Sequence, residues 1–319
     1  MTGSAIVPLV LKADTFSVNV LPALGGKIAS ISRDGIELLQ QPLLPYAPRN
    51  ATMGFEESDA SGFDECLPSV AACEIDTPSG RRFVPDHGEF WRLPCNVTAQ
   101  TAEEVTLTAS GNVLPLRFER KLRAFTGSHH HRPATLQIDY RVENFGRDPV
   151  YYAWSAHPLF AVEPGDRIVL PASVKEVTVE GSGQNRLGTN GTIHPWPLAE
   201  LSSWKLVELD RVGHVSDNIG DKIYAEAPDE GWCAIDRRRS AGFHLQVEFD
   251  PALSPFLGVW LCYGGWPENS ANRQYCVALE PCTSPVDSLA KAMAAGEARR
   301  LEPGQCDFWW MRVVTTVVS

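Results

Sequence analysis

Long apolar runs are missing from this 319-residue chain, and nothing in it approaches the roughly 20 consecutive apolar residues that a membrane span needs. The stretch from Ala5 to Leu11 is interrupted by Pro8, has no cationic segment before it and no small-residue cleavage site after it. It does not read as a signal peptide. Basic charge is also scarce: 28 Lys and Arg stand against 39 Asp and Glu, a net of −11. Such a field repels nucleic acid and anionic membrane surfaces, and no local basic stripe offsets it. No Cys-x-x-Cys pair occurs among the eight cysteines, which argues against a zinc ribbon or a thioredoxin-like motif. Without an export signal the cysteines read as reduced thiols, and the expected compartment is the cytoplasm. A glycine-rich phosphate loop is absent as well, so no organic cofactor and no metal is expected.

Helical periodicity is nearly lacking too. One alanine-rich stretch, Val286 to Glu297, follows Pro285 and has Gly296 near its end. With 24 prolines and 25 glycines spread through the chain, other long helices are improbable. Period-two alternation fills the rest. In Leu136-Gln-Ile-Asp-Tyr-Arg-Val-Glu143, Leu136, Ile138, Tyr140 and Val142 face one way and the polar residues the other. Phe243 to Asp250 repeats the pattern, and Val105 to Ala109 gives a shorter copy. Ile28 to Arg33, then Asp34-Gly35, then Ile36 to Leu39 predicts a hairpin with a two-residue turn, and Asn190-Gly191 predicts a second turn of the same chemistry. There is no linker, no repeat and no shift in composition. The expectation is one domain over residues 1–319, all-β and mostly antiparallel, with two broad sheets forming a sandwich.

Four segments place ionisable residues in apolar, aromatic surroundings: Gly62 to Val70, Pro85 to Trp91, Tyr151 to Phe160 and Val277 to Thr283. His157 follows Tyr151, Tyr152 and Trp154, and Pro158 restricts its backbone to extended conformations, which predicts a strand end. It reads equally as a core histidine bonded to a carbonyl or as a site residue. Glu280 follows Val277-Ala-Leu279 and precedes Pro281. A buried lone carboxylate is costly, so such a glutamate is paired or functional unless it is a surface residue at a strand end. The run His129-His130-His131 lies between Gly127-Ser128 and Arg132-Pro133 and reads as a hairpin tip. Adjacent histidines on an extended chain alternate in direction and cannot all reach one ion.

An early His-Gly at His87, a His-Pro at His157 with Phe160 behind it, and a late Glu-Pro at Glu280 occur in that order. Together they resemble the aldose 1-epimerase (galactose mutarotase-like) family, from Leu21 to Gly26 near the start through to Phe308-Trp-Trp310. The resemblance implies a β-supersandwich and interconversion of the α and β anomers of a monosaccharide, acting as a monomer or homodimer. It implies Glu280 as general base and His157 as general acid, with His87 bonding developing charge. Those residue types suit opening of a hemiacetal ring, which needs a base for the anomeric hydroxyl and an acid for the ring oxygen. The family also holds sugar hydroxyls with an aspartate, for which Asp221 before Lys222-Ile-Tyr is the better match within Asp217 to Tyr224; a solvated turn aspartate is the plain alternative. Trp266, after Gly264-Gly265, offers a face for sugar C–H groups or simply fills space. The family's early arginine has no evident counterpart, so Arg92 is expected to supply that charge and Asp64 or Glu65 to contact hydroxyls. Two other readings stay open: a sugar-binding protein without turnover, and a glycoside hydrolase or lyase with Asp64, Glu65 or Glu89 as its second carboxylate.

Overall fold

The computed structural model describes residues 6–127, 133–201, 205–226, 229–268 and 270–317. The His129–His131 run lies outside them. Two antiparallel sheets dominate, one of 11 strands and one of 8. The alternating segments fall where expected: Ala134–Asn144 pairs with Leu116–Thr126 on one side and Cys306–Val317 on the other, and Phe243–Phe249 joins the far edge of Cys306–Val317. Leu136, Ile138, Tyr140 and Val142 are all buried, whereas Asp139 is exposed. Inner-face residues of both sheets merge into one apolar cluster that includes Phe16, Val18, Leu122, Leu136 and Val313. Each such side chain contributes about 1.5–3 kcal/mol when fully buried. This is the all-β, mostly antiparallel sandwich that the alternation pointed to.

The predicted hairpin is present. Asp34 (φ 52°) and Gly35 (φ 80°) are both left-handed, and Arg33 pairs with Ile36. At Asn190-Gly191 the chain also turns, but only Gly191 has a positive φ, so the chemistry is that of a different turn. The helix α1 (Leu289–Ala295) starts later than its sequence suggested, because Ser288 rather than Pro285 caps it, accepting from Lys291 N. Gly296 ends it at φ 75°. Among the described residues no helix is long and apolar enough to cross a membrane, and the eight cysteines are all free thiols.

Five strands occupy the middle of the large sheet: β1 (Phe63–Cys66), β2 (Ser155–Phe160), β3 (Ile219–Glu226), β4 (Phe256–Tyr263) and β5 (Tyr275–Cys282). They lie side by side in the order β1-β2-β5-β4-β3. Each is largely buried on both faces, but only one face meets the second sheet. Val277 and Leu279 of β5, Val259 and Leu261 of β4, and Ile223 of β3 belong to the central core. The alternate residues, including Cys276, Ala278, Cys262 and Leu159, form a separate small cluster under Trp260 and Trp266 on the opposite face.

Candidate active site

That opposite face floors a cavity of about 530 Å³, into which β2, β5, β4 and β3 send His157, Glu280, Trp260 and Lys222. Strand β2 pairs with β5 at Ser155↔Cys282 and at Leu159↔Ala278. The same register places His157 opposite Glu280, in the gap that Pro158 leaves by lacking an N–H. Directly opposed residues in an antiparallel pair have Cβ atoms about 4.5–5.5 Å apart. His157 therefore lies inside a strand rather than at its end as the sequence suggested, and Glu280 lies in the neighbouring strand facing the same cavity.

Glu280 is wholly buried. Its Oε2 is bound by Lys222 Nζ and lies 3.4 Å from Ser155 Oγ, while Oε1 has no protein partner. Although burial opposes it, the adjacent Glu280 carboxylate, with Asp287 behind, raises the Lys222 pKa above its ordinary value. Lys222 therefore stays an ammonium through the physiological range. His157 is driven the other way: burial first, then the neighbouring His87 and Lys222, hold it well below 6.5. Its Nδ1 has no partner.

The walls come from loops. His87 (φ 56°) and Gly88 (φ 70°) are consecutive left-handed residues, and His87 N donates to Val70 O at 2.6 Å. A positive φ at a histidine is uncommon and persists only where surroundings enforce it. Here they do. The His87 ring stacks on Phe55 with centroids 3.8 Å apart, meets His157 edge-on at 5.1 Å, and its Nδ1 lies 2.9 Å from Asp86 Oδ2. Against the cost of burial, that hydrogen bond and the nearby positive groups keep Asp86 ionised below the usual carboxylate range. Asp287 accepts from Tyr224 Oη at 2.6 Å, and Gln274 and Trp266 complete the lining.

No protein-family model matches the chain, and no curated protein matches it in sequence. Solved structures do match its backbone. The Slr1438 protein of Synechocystis sp. PCC 6803 aligns over 100% of this chain and 98% of its own, with a TM-score of 0.70 and 16% identity. A candidate aldose 1-epimerase of Escherichia coli K12 aligns over 98% and 99%, at 0.71 and 16%. A galactose mutarotase related enzyme of Lactobacillus acidophilus aligns over 98% of each, at 0.65 and 16%. The chain has the galactose mutarotase-like fold.

Within this galactose mutarotase-like fold the cavity gathers His87, His157, Glu280 and Trp266, but not the other residues named from sequence. Asp221 does not line it. Strand alternation turns Asp221 to the core face, where Arg186 Nε reaches its Oδ2 at 3.0 Å and Ser182 Oγ its Oδ1 at 2.6 Å. Its neighbour Lys222 has the cavity position instead. Arg92 is not the cavity's cation either: it donates to Ala51 O and Asp86 O and stacks on Trp91, so it fixes the loop before His87. Asp64 is opposite His157 on β1 but is enclosed by Lys27 at 2.6 Å and Arg49 at 2.8 Å. Those cations outweigh burial and keep it ionised.

Glu65 points into the core, accepting from Arg120, Tyr140 and Trp154 at 3.0, 3.1 and 2.8 Å, and burial still raises its pKa. Glu89 accepts the backbone N–H groups of Asn112, Val113 and Leu114. None of these three carboxylates lines the cavity, which removes them as second carboxylates of a hydrolase. Sequence reasoning missed Lys222, Asp86, Phe55 and Trp260. For Lys222 the signal was present: once Ile223 is read as core, period two puts Lys222 and Tyr224 on the other face. Among the described residues, no group of three or more His, Cys, Asp or Glu is arranged to hold a metal ion.

Proposed function

We propose that this protein is an aldose 1-epimerase that interconverts the α and β anomers of a neutral hexose, working as one domain without a cofactor. The observation that carries the reading is the pair of unpartnered polar atoms, Glu280 Oε1 and His157 Nδ1, on facing positions of one cavity. A buried polar atom without a protein partner is rare and calls for an explanation. A sugar's anomeric hydroxyl and ring oxygen would supply both partners.

In this reading Glu280 Oε1 takes the proton of the anomeric hydroxyl. The C1–O bond to the ring oxygen breaks, its electron pair moves to that oxygen, and a C1 carbonyl forms. The ring oxygen receives the proton of the His157 imidazolium. After rotation about C1–C2 the steps reverse, Glu280 returning its proton to the carbonyl oxygen and His157 recovering the other. The competent enzyme thus carries one proton between the two groups. Because burial, with His87 and Lys222 beside it, holds His157 neutral to well below 6.5, that form accumulates only as pH falls below that value. Phe55 and Trp266 offer apolar faces to sugar C–H groups, and His87, oriented by Asp86, donates to a hydroxyl. The eight free thiols accord with a reducing, cytoplasmic setting.

The test is polarimetry or exchange NMR on a panel of freshly dissolved sugars, with product analysis on a disaccharide. Faster equilibration of one monosaccharide's anomers, with the disaccharide left intact, is expected. Equilibration no faster than in buffer across the panel, or cleavage of the disaccharide, overturns the reading.

A further inference from the structure

Lys222 reaches Glu280 from two strands away. The β4 residue between them is Gly258, opposite Glu280 on one side and Tyr224 on the other. A Cβ built on Gly258 would stand 3.0 Å from Lys222 Nζ and 3.3 Å from Glu280 Oε2. The lysine stem therefore crosses the one place in the row where no side chain rises. Its Nζ lies 5.3 Å from the Tyr224 ring centroid and binds only one oxygen of the carboxylate.

Resting on the epimerase reading, we propose that Lys222 is a positioning residue: it clamps Glu280 Oε2 across Gly258, so that Oε1 alone is presented to the anomeric hydroxyl, and it is the cation paired with this buried carboxylate. The groups facing Glu280 are Lys222 and Tyr224 of β3, Ser155 and His157 of β2, Cys66 of β1, Cys276 and Cys282 of β5 itself, and Asp287 beyond it. Lys222 is the one among them that stays cationic at neutral pH, since His157 is held neutral. A carboxylate buried without a cation takes up a proton more readily.

Three variants and two readouts test this. Lys222→Met is expected to lower kcat about 10²-fold at neutral pH, the lower end for loss of a working base, with KM changed only a few-fold. The acid limb of its pH–rate profile should move up by about one unit or more. Lys222→Arg should recover part of the rate and most of the profile. Gly258→Ala keeps every charge and should shift both in the same direction by less, so it carries the test if Lys222→Met does not fold.

Infrared difference spectra supply the second readout, through the protonated-carboxyl band that disappears in Glu280→Gln. That band should appear at higher pH in Lys222→Met, or in Gly258→Ala, than in wild type. Wild-type kcat and pH profile in these variants overturn the proposal, as does an unshifted band. If wild type equilibrates no sugar, the functional reading fails while the infrared titration still decides the role of Lys222.

Discussion

Glu280→Gln isolates the chemistry at the least cost in shape. The amide keeps an oxygen for Lys222 Nζ but removes the free basic oxygen, and loss of a positioned base typically lowers rate 10²–10⁴-fold. That corresponds to roughly 3–5 kcal/mol of barrier. The same change has a stability cost, because the Lys222 and Glu280 side chains are only 10% and 0% exposed. Removing one charge from a buried pair costs about 3–5 kcal/mol when nothing replaces it, and the amide oxygen should hold the loss near or below the lower figure. Rate and stability can be separated with Lys222→Met combined with Glu280→Gln, which leaves no stranded ammonium. Its melting temperature should return toward wild type while turnover stays down. The assay is the decay of optical rotation of a freshly dissolved single anomer, corrected for the spontaneous rate and run well below each variant's melting temperature. If folded Glu280→Gln retains more than about a tenth of wild-type turnover, the loss is smaller than a missing base produces and the mechanism is wrong.

His157 is buried neutral, so the unfolded chain binds more protons than the native one below pH 6.5, and stability should fall as pH drops through that range. His157→Asn should flatten this part of the curve in chemical denaturation; equal slopes in the two proteins would refute the burial argument. Lys222 is already taken by Glu280, and Asp86, Asp287 and Glu56 also border the cavity, so glucose or galactose should be turned over with higher kcat/KM than its 6-phosphate. A preference for the phosphates in side-by-side assays would contradict that charge balance. Gly88→Ala would put a Cβ about 2.0 Å from Leu67 O in a left-handed backbone, and should lower the melting temperature and disorder His87; a variant with wild-type melting and turnover would show the turn to be unconstrained.

The strands were legible because one face of each meets a core: Leu136 to Glu143 alternates since Leu136, Ile138 and Tyr140 pack inward while Asp139 meets water. The site was legible only in part. His157 and Glu280 stood out as ionisable residues in apolar strands that bury both faces. The same signal misled at Asp64, and the resemblance misled at Asp221. A charge in an apolar context indicates a buried partner without saying whether that partner is a substrate or, as here, Lys27 with Arg49, or Arg186. Phe55 and Trp260 are silent in sequence because an aromatic facing a cavity is written like one filling a core. The pairing of distant strands, such as β2 between β1 and β5, leaves no local trace at all.

In β2, β3, β4 and β5 the residues of the cavity and the residues of the core are interleaved one by one. A single inserted or deleted residue in β5 would send Leu279 or Pro281 to the cavity and bury Glu280 among Val259, Leu261 and their neighbours. Substitution can therefore retune the cavity position by position while the core stays intact, but slippage damages both together. Changes of length are confined to the connections, which is where Phe55, His87 and Trp266 already reside. Those three wall residues are thus free to vary in reach, whereas the spacing of His157, Glu280 and Lys222 is set by the pitch of the sheet itself.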